Sequence, residues 1–473
     1  MKRRLSTAAL LTVAVPLAAQ VMTVPDPLSQ RTTDRLRFAP ALQLMTPTRH
    51  APLVRARGLG TWAAPQFMLF EDGHPLPPMP LNFDSPDVAP LDVLVIDSLR
   101  LVERPALVNG TPVFGGALLV SRKQIPDSLV VAARAFAGSE TGDPALYVYT
   151  RDALPLGNRQ KIGTSASALV SNRSGDFAYR IHGASFGHFA TGYAGTDPLI
   201  FAYRSDLGRD QSTTRFVRGE VSLRLPGGRS LDGELAVHGV RGWDMLPFIP
   251  TFVHYGVLRT SGSIRMRDTS GGLALCLRGD LQTFKLDEQL RSAGGEFRLQ
   301  ELTLEGSWNI RTTPSTVLSF GGRGVLHALV LPARSPGTRP QLFSDEFSRW
   351  SGLLSVRIRS RSGTMAWVVS AAVERLLEGE IAGSVGGGGE WHVAEGRRLE
   401  LSFASVTAAP SPIELYGRYE VHRERYPLGR VDTFVIEGNS SLRSQRAQSL
   451  DLNYVVAQNG RQIVGGLFLQ KML

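Results

Sequence analysis

Gln66-Phe67-Met68-Leu69-Phe70-Glu71-Asp72-Gly73-His74-Pro75-Leu76, Ile96-Asp97-Ser98-Leu99-Arg100-Leu101-Val102-Glu103-Arg104-Pro105 and Asn109-Gly110-Thr111-Pro112-Val113-Phe114-Gly115-Gly116-Ala117-Leu118-Leu119-Val120 follow one another within a single stretch. Each run reads as a short apolar strand closed by a turn. Phe67 to Phe70 is a strand that stops at Asp72-Gly73, a strong turn dipeptide. Leu99 to Val102 is a second strand, stopped by Pro105, which cannot donate to a ladder. Gly115-Gly116 allows a tight backbone turn into Ala117 to Val120, an unbroken apolar run of the kind a doubly buried strand shows.

Beyond about Gln124 the texture changes to strict alternation. Val217, Gly219, Val221, Leu223 and Leu225 alternate with Arg218, Glu220, Ser222 and Arg224. Leu302, Leu304, Gly306, Trp308 and Ile310 alternate with Glu301, Thr303, Glu305, Ser307 and Asn309. Successive strand residues point to opposite faces, so each segment carries one apolar and one polar face. Roughly sixteen such segments lie between Gln124 and Leu473, each near the ~10-residue length that spans a membrane as a strand.

Two architectures give this pattern. A soluble sandwich buries the apolar face in a core. A transmembrane barrel turns it to lipid and keeps the polar face inside. Short turns such as Pro226-Gly227-Gly228, Ser362-Gly363 and Glu395-Gly396 alternate with long polar connections around Phe189 to Thr214, Gly242 to Phe252, Leu331 to Arg349 and Ala408 to Arg446. That asymmetry suits a barrel with short periplasmic turns and long outer loops. Trp308, Trp350, Trp367 and Trp391 fall in or near strands, as an interfacial girdle requires. Gly386 to Gly389 is a glycine run within a strand pair, expected where another backbone packs close to the wall.

The N-terminus agrees with an address outside the cytoplasm. Lys2, Arg3 and Arg4 form a basic n-region, Leu5 to Ala18 an apolar h-region, and Ala18-Ala19 a small-residue cleavage site before Gln20. The 473 residues are 42% hydrophobic, yet no window after this signal has the ~20 apolar residues of a membrane helix. The single cysteine, Cys276, excludes an internal disulfide and reads as a small apolar filler. Cys and His lack metal-site spacing, and no metal or other cofactor is expected. The net charge of +10 comes from arginine. The arginines are dispersed, with no dense basic run after the signal, which suits an Arg-lined lumen or a surface facing lipopolysaccharide better than nucleic acid.

In this order the pieces resemble the TonB-dependent outer-membrane receptor family, a plug domain inside a β-barrel. The plug motif is carried by Arg57-Gly58, Asp72-Gly73, Pro105, Gly110 and Gly115-Gly116. Glu103-Arg104 stands where the family has Arg-Gly, and Asn109 replaces its Tyr. Ala409-Pro410-Ser411-Pro412-Ile413-Glu414-Leu415-Tyr416 is similar to the family's Ala-Pro-Ser-x-x-Glu-Leu-Tyr barrel motif, with Pro410, Glu414, Leu415 and Tyr416 at matching positions. Gly438-Asn439-Ser440-Ser441-Leu442 is similar to its Gly-Asn-Pro-x-Leu loop, through Gly438, Asn439 and Leu442.

The resemblance implies a mostly β fold. It divides into a signal peptide at 1–19, an α+β plug at 20–124 with one short helix within Asp26 to Leu44, and a barrel at 125–473, shorter than the ~22 strands of a plugged transporter and so expected to be incomplete. It implies binding and uptake of a scarce small extracellular ligand such as a siderophore, and a periplasmic TonB-type partner. Gln20-Val21-Met22-Thr23-Val24 matches the partner-binding box poorly, so weak coupling is expected. A non-energised porin or surface-binding barrel, or a truncated receptor without function, are the alternatives. An enzyme is not expected: Gly-x-Ser-x-Gly and His-Glu-x-x-His are both missing, and Asp72, Glu103 and Glu414 read as turn and loop groups. If the signal reading is right, Edman sequencing of the mature protein from an outer-membrane fraction begins at Gln20; recovery of an intact Met1 end in the soluble fraction would contradict it.

Overall fold

The computed structural model describes residues 20–23, 42–45, 53–56, 67–76, 91–140, 161–189, 211–245, 252–268, 272–286, 295–331, 346–377, 379–410, 412–416, 418–425, 430–458 and 461–472. Nine short strands come first: β1 Gln20–Thr23, β2 Leu42–Met45, β3 Leu53–Ala56, β4 Met68–Glu71, β5 His74–Pro75, β6 Ile96–Val102, β7 Ala106–Val108, β8 Thr111–Val113 and β9 Ala117–Arg122. Five of them form one sheet in the order β1-β6-β9-β4-β5. β9 is central, parallel to β4 and antiparallel to β6. Both faces of this sheet are buried. Phe67, Leu69, Leu99, Leu101 and Leu118 pack on one side, and Phe70, Val102, Val108, Val113 and Leu119 on the other. A strand buried on both faces has no polar side to show, which is why Ala117 to Val120 is apolar without alternation. The helix expected within Asp26 to Leu44 falls mostly outside the described residues, and its last part, from Leu42, is strand β2.

The wall follows: β10 Val130–Glu140, β11 Lys161–Ser174, β12 Phe177–Phe189, β13 Gln211–Leu225, β14 Arg229–Met245, β15 Phe252–Asp268, β16 Leu273–Leu286, β17 Gly295–Arg311, β18 Thr316–Val330, β19 Phe347–Ser362, β20 Met365–Arg375, β21 Ile381–Ala394 and β22 Arg397–Ala408. After a helical turn α1 (Pro412–Tyr416) and a separate hairpin, β23 (Arg418–Arg425) with β24 (Arg430–Glu437), the wall resumes with β25 Gln445–Gln458 and β26 Arg461–Met472. All fifteen wall strands are antiparallel nearest neighbours in sequence order, one fewer than the alternation counts to. Among the described residues β10 pairs only with β11, and β26 only with β25.

Burial decides between sandwich and barrel. The exposed positions are the apolar ones and the buried positions the polar ones: Val217 is 60% exposed and Arg218 3%, Leu304 61% and Glu301 8%. A sandwich would show the reverse. Connections at 175–176, 226–228, 269–272, 312–315, 363–364, 395–396 and 459–460 lie at one end of the wall. The strand ends that flank the longer connections, at 141–160, 190–210, 246–251, 287–294, 331–346, 376–380 and 409–444, lie at the other. The strand ends that bound the four long connections expected from sequence all fall at that second end. One of them is shorter than expected, because Gly242 to Met245 continues β14. Trp308, Trp367 and Trp391 face outward near the short turns, and Trp350 faces outward near the long loops, with Arg375 stacked 3.9 Å over its ring.

The small sheet lies inside the wall. Leu107 and Phe114 pack on Leu353, Ala372, Ala404, Val406 and Ala447. Gly386 faces Leu107, where a Cβ would stand 3.1 Å from its side chain and 3.3 Å from the Phe403 carbonyl. Gly386, the first residue of the glycine run, therefore marks a close approach of plug and wall, whereas the nearest neighbours of Gly387, Gly388 and Gly389 are in adjacent wall strands. Replacing Gly386 with Leu should weaken plug docking by about 1–3 kcal/mol, seen as faster protease cleavage between residues 67 and 122 of the purified protein. Gly383→Leu, which meets open space, should leave cleavage unchanged.

Candidate functional site: the plug–wall interface

Two tight hairpins set the plug's tips. Asp72-Gly73 joins β4 to β5 with φ of 48° and 88°, and Asn109-Gly110 joins β7 to β8 with φ of 49° and 84°. Two successive positive φ values are the type I′ turn, which Asx-Gly sequences favour. The Asn109 amide donates to the Gly73 carbonyl at 2.9 Å, and Arg357 of the wall donates to the Asn109 side-chain oxygen at 3.1 Å. A side chain at Gly110 would collide with Ser355. The Asp72 carboxylate accepts from the Arg122 backbone N–H at 2.9 Å and from its Nε at 2.6 Å. The family-like Asp-Gly and Gly positions are thus where plug meets plug and plug meets wall. Gly116, at φ 99°, turns the chain into β9, and its carbonyl accepts from the Met68 N–H at 3.0 Å. The Pro105 carbonyl, next to Arg104, faces the Ser449 hydroxyl of β25. Arg57 and Gly58 lie outside the described residues.

Arg122 is the centre of a buried ion cluster. Its guanidinium lies 3.8 Å from Glu71, 2.6 Å from Asp72, 3.1 Å from Glu220 and 3.0 Å from Glu234. Arg218 of β13 pairs with Glu71 at 2.5 Å and with Glu234 at 3.5 Å, and Arg180 of β12 pairs with Glu220 at 2.6 Å. Plug and wall each contribute both signs, so neither carries an uncompensated buried charge alone. Burial pushes the Glu71 carboxyl up; the charges of Arg218 and Arg122 and the Arg218 hydrogen bond outweigh it and hold the group at about 2. Burial likewise works against the Arg122 cation, and its surrounding carboxylates raise its pKa well above the ordinary arginine value.

Further ties surround the plug. Asp92 meets His182 of β12 at 2.9 Å, with both side chains buried. Burial pushes the Asp92 carboxyl up, and hydrogen bonds from His182 and Ser167 outweigh it and lower it. Arg104 pairs with Asp451 of β25 at 3.3 Å. His74 meets Glu305 of β17 at 2.8 Å. A cavity of about 230 Å³ lies between the β4–β5 hairpin and the wall, lined by Glu71, His74, Arg122, Arg278, Glu305 and His327 among others. Cys276 also lines it, so this residue faces the lumen and not lipid. Among the described residues no three His, Cys, Asp or Glu gather as metal ligands.

The two C-terminal motifs meet at the long-loop end. The Asn439 N–H donates to the Glu414 carbonyl at 2.8 Å, and the Asn439 side chain accepts from the Ser441 N–H at 2.9 Å. The Leu442 N–H donates to the Asn439 carbonyl at 3.1 Å. Leu415 is buried, and the Tyr416 ring lies 5.2 Å from Phe347. Pro410 ends β22's run into this loop, and Gly438 follows β24. These residues are loop scaffolding. Sequence reading did not single out Arg122, Arg218, Glu220, Glu234, Asp92 or His182. Their signal was present as charges on the lumen register of consecutive strands, such as Arg218 and Glu220 two apart on β13.

No protein-family model matches the sequence, and no curated protein matches it. Solved structures do. The chain is similar to a variant of the ferric enterobactin receptor PfeA from Pseudomonas aeruginosa, at 15% identity and TM-score 0.70, over 98% of this chain and 72% of that one. It is similar to the siderophore receptor PirA from Acinetobacter baumannii, at 14% identity and TM-score 0.69, over 97% and 71%. It is also similar to the FrpB iron transporter from Neisseria meningitidis, at 10% identity and TM-score 0.65, over 96% and 73%. At such identities the likeness establishes the fold.

Removing one partner of a buried ion pair costs ~3–5 kcal/mol, so Arg122→Ala should release the plug. Raised conductance of the purified protein in planar bilayers would report it, and wild-type conductance would count against the cluster's holding role. The pH dependence has a definite sign. A folded pKa near 2 against an ordinary 4.5 means the Glu71 contribution is complete above about 4.5 and is lost as pH falls toward 2. Plug protease resistance should therefore be flat from pH 8 to 5 and fall below 4.5, and Glu71→Gln should flatten that acid limb.

Proposed function

We propose that this chain, which has the fold of the TonB-dependent receptors, takes up a scarce small ligand of the siderophore type across the outer membrane of a Gram-negative-type bacterium. The observation that carries this reading is a small folded sheet lying inside the wall and tied to it by ion pairs. A plugged lumen is of no use to a passive pore. It suits a device that keeps the membrane sealed until a bound ligand and an external pull move the plug. The similar solved structures are transport receptors for ferric enterobactin, other siderophores or iron, which supports a transporter and not an enzyme. In this reading residues 1–19 are a removed signal, 20–124 the plug and 125–473 the barrel. The long loops and the upper face of the plug take the ligand. The outward apolar positions meet lipid, and the tryptophans meet its two interfaces.

A TonB-type periplasmic protein is the proposed partner. β1 is an edge strand of the plug sheet, paired to β6 through Gln20–Leu101, Val21–Arg100, Met22–Leu99 and Thr23–Ser98. An edge strand offers its free backbone groups to an added strand, and such pairing depends little on side chains. The weak likeness of Gln20 to Val24 to a partner-binding box is then no obstacle. Uptake of radiolabelled ferric siderophores by iron-starved cells lacking their own receptors tests the reading. Expression of this chain should restore energy-dependent uptake of at least one of them, and Val21→Pro should abolish it while leaving the protein in the membrane. Equal uptake with and without the chain, for catecholate, hydroxamate and carboxylate siderophores alike, would overturn it.

A further inference from the structure

The lumen face of β17, β18 and β19 carries a charge imbalance that the ion cluster does not explain. Three contacts with the plug fix which residues face inward: Glu305 on β17 meets His74, Arg323 on β18 meets Thr111, and Arg357 on β19 meets Asn109. Period two then assigns the inward positions between that level and the short turns. They are Ser307, Asn309 and Arg311 on β17, Gly321, Ser319 and Val317 on β18, and Arg357, Arg359 and Arg361 on β19. Four are arginine and none is acidic. β20, the next strand, offers Ser370, Val368 and Ala366 at the matching level. The nearest carboxylate in register is Glu390 on β21, two strands from Arg361, and its own contact is His392 at 3.4 Å.

Register brings three of these arginines together. Arg311 pairs with Val317, and Val317 pairs with Arg359, so the two guanidinium side chains flank one small valine. Their backbones are two strand spacings apart, roughly 10 Å, within reach of two long side chains converging on one group. Arg357 lies two residues up the same face of β19, roughly 7 Å away. Arg311 is exposed and Arg359 half-buried, and neither has an ion-pair partner among the described residues.

We propose that Arg311, Arg357 and Arg359 form a binding site for a small phosphate-bearing anion, at the short-turn mouth of the lumen beneath the plug tips. Like charges gathered without a carboxylate among the described residues repel one another, and a bound oxyanion removes that repulsion. Guanidinium forks match phosphate oxygens in pairs, and three of them around one space suit a multiply charged group. The site faces the aqueous lumen, so its ligand is a soluble anion and not a lipid headgroup. It lies at the opposite end of the lumen from the long loops and does not depend on siderophore uptake.

Isothermal titration of the detergent-purified full chain with inorganic pyrophosphate, at constant ionic strength in sodium chloride, tests it. Saturable binding of one pyrophosphate per chain is expected. Arg311→Gln with Arg359→Gln should weaken it by at least about tenfold, because two of the three charged forks are lost. Arg359→Lys, which keeps the charge and loses the fork, should fall between. Arg397→Gln, at the same rim on the outer face, should bind as wild type. Heat-modifiable gel mobility confirms that each variant is folded. Absence of pyrophosphate binding above the chloride background, or unchanged affinity in a folded Arg311→Gln/Arg359→Gln double variant, would overturn the site. So would equal weakening by Arg397→Gln, which would mean diffuse charge and not a site.

Discussion

Hydrocarbon offers a backbone no hydrogen bonds. Every amide that crosses it must find its partner within the protein, and each failure costs several kcal/mol. Helices solve this within one segment; among the described residues no helix is long and apolar enough to do so. Among the described residues this chain answers it with fifteen long antiparallel strands, thirteen of them paired on both edges and the outermost two, β10 and β26, on one. The inside-out burial follows from the same constraint. Once the outer positions must be apolar, alternation forces polar side chains inward. A lumen lined with arginine, glutamate, histidine and serine is the geometric remainder of a lipid-facing wall.

That remainder determines how the plug is held. A polar wall cannot grip an apolar core by burial alone, so most of the attachment is made of matched charges. Arg122 is surrounded by four carboxylates, two from the plug and two from the wall. Pairs taken out of water contribute little net stability compared with apolar packing, yet breaking one is costly. The interface is therefore weak evidence for stability and strong evidence for a single docked position.

The fold was legible because its rules are local. Period two in Val217 to Leu225 and in Leu302 to Ile310 was enough to set the wall. Asp72-Gly73 marked its hairpin through dihedral chemistry alone, and the same rule covers Asn109-Gly110. Gly386 was legible as a close approach although its neighbour, Leu107, was not. The interface was not legible, because its pairs join residues far apart in the chain: Glu71 to Arg218, Asp92 to His182, Arg104 to Asp451. No spacing rule connects such positions. Only the sheet order and the plug's orientation do, and neither is written in any one segment. The Glu414–Asn439 contact fell between these cases, since both motifs were visible and their meeting was not.

The plug's attachments are unevenly distributed around its girth. On the side of β12 to β14 it is fastened by directional contacts: Arg122, Glu71, Asp72 and Asp92 against Arg180, His182, Arg218, Glu220 and Glu234. On the side of β20 to β25 it rests chiefly on Leu107 and Phe114 against alanine, valine and bare glycine backbone, with Arg104–Asp451 as the single ion pair named there. The hydrogen bonds within ion pairs weaken steeply when their geometry is lost, whereas a smooth apolar contact is not directional. A force on the plug is then resisted unequally. The charged flank is the side that resists displacement most, and the glycine-faced strand the side that resists it least.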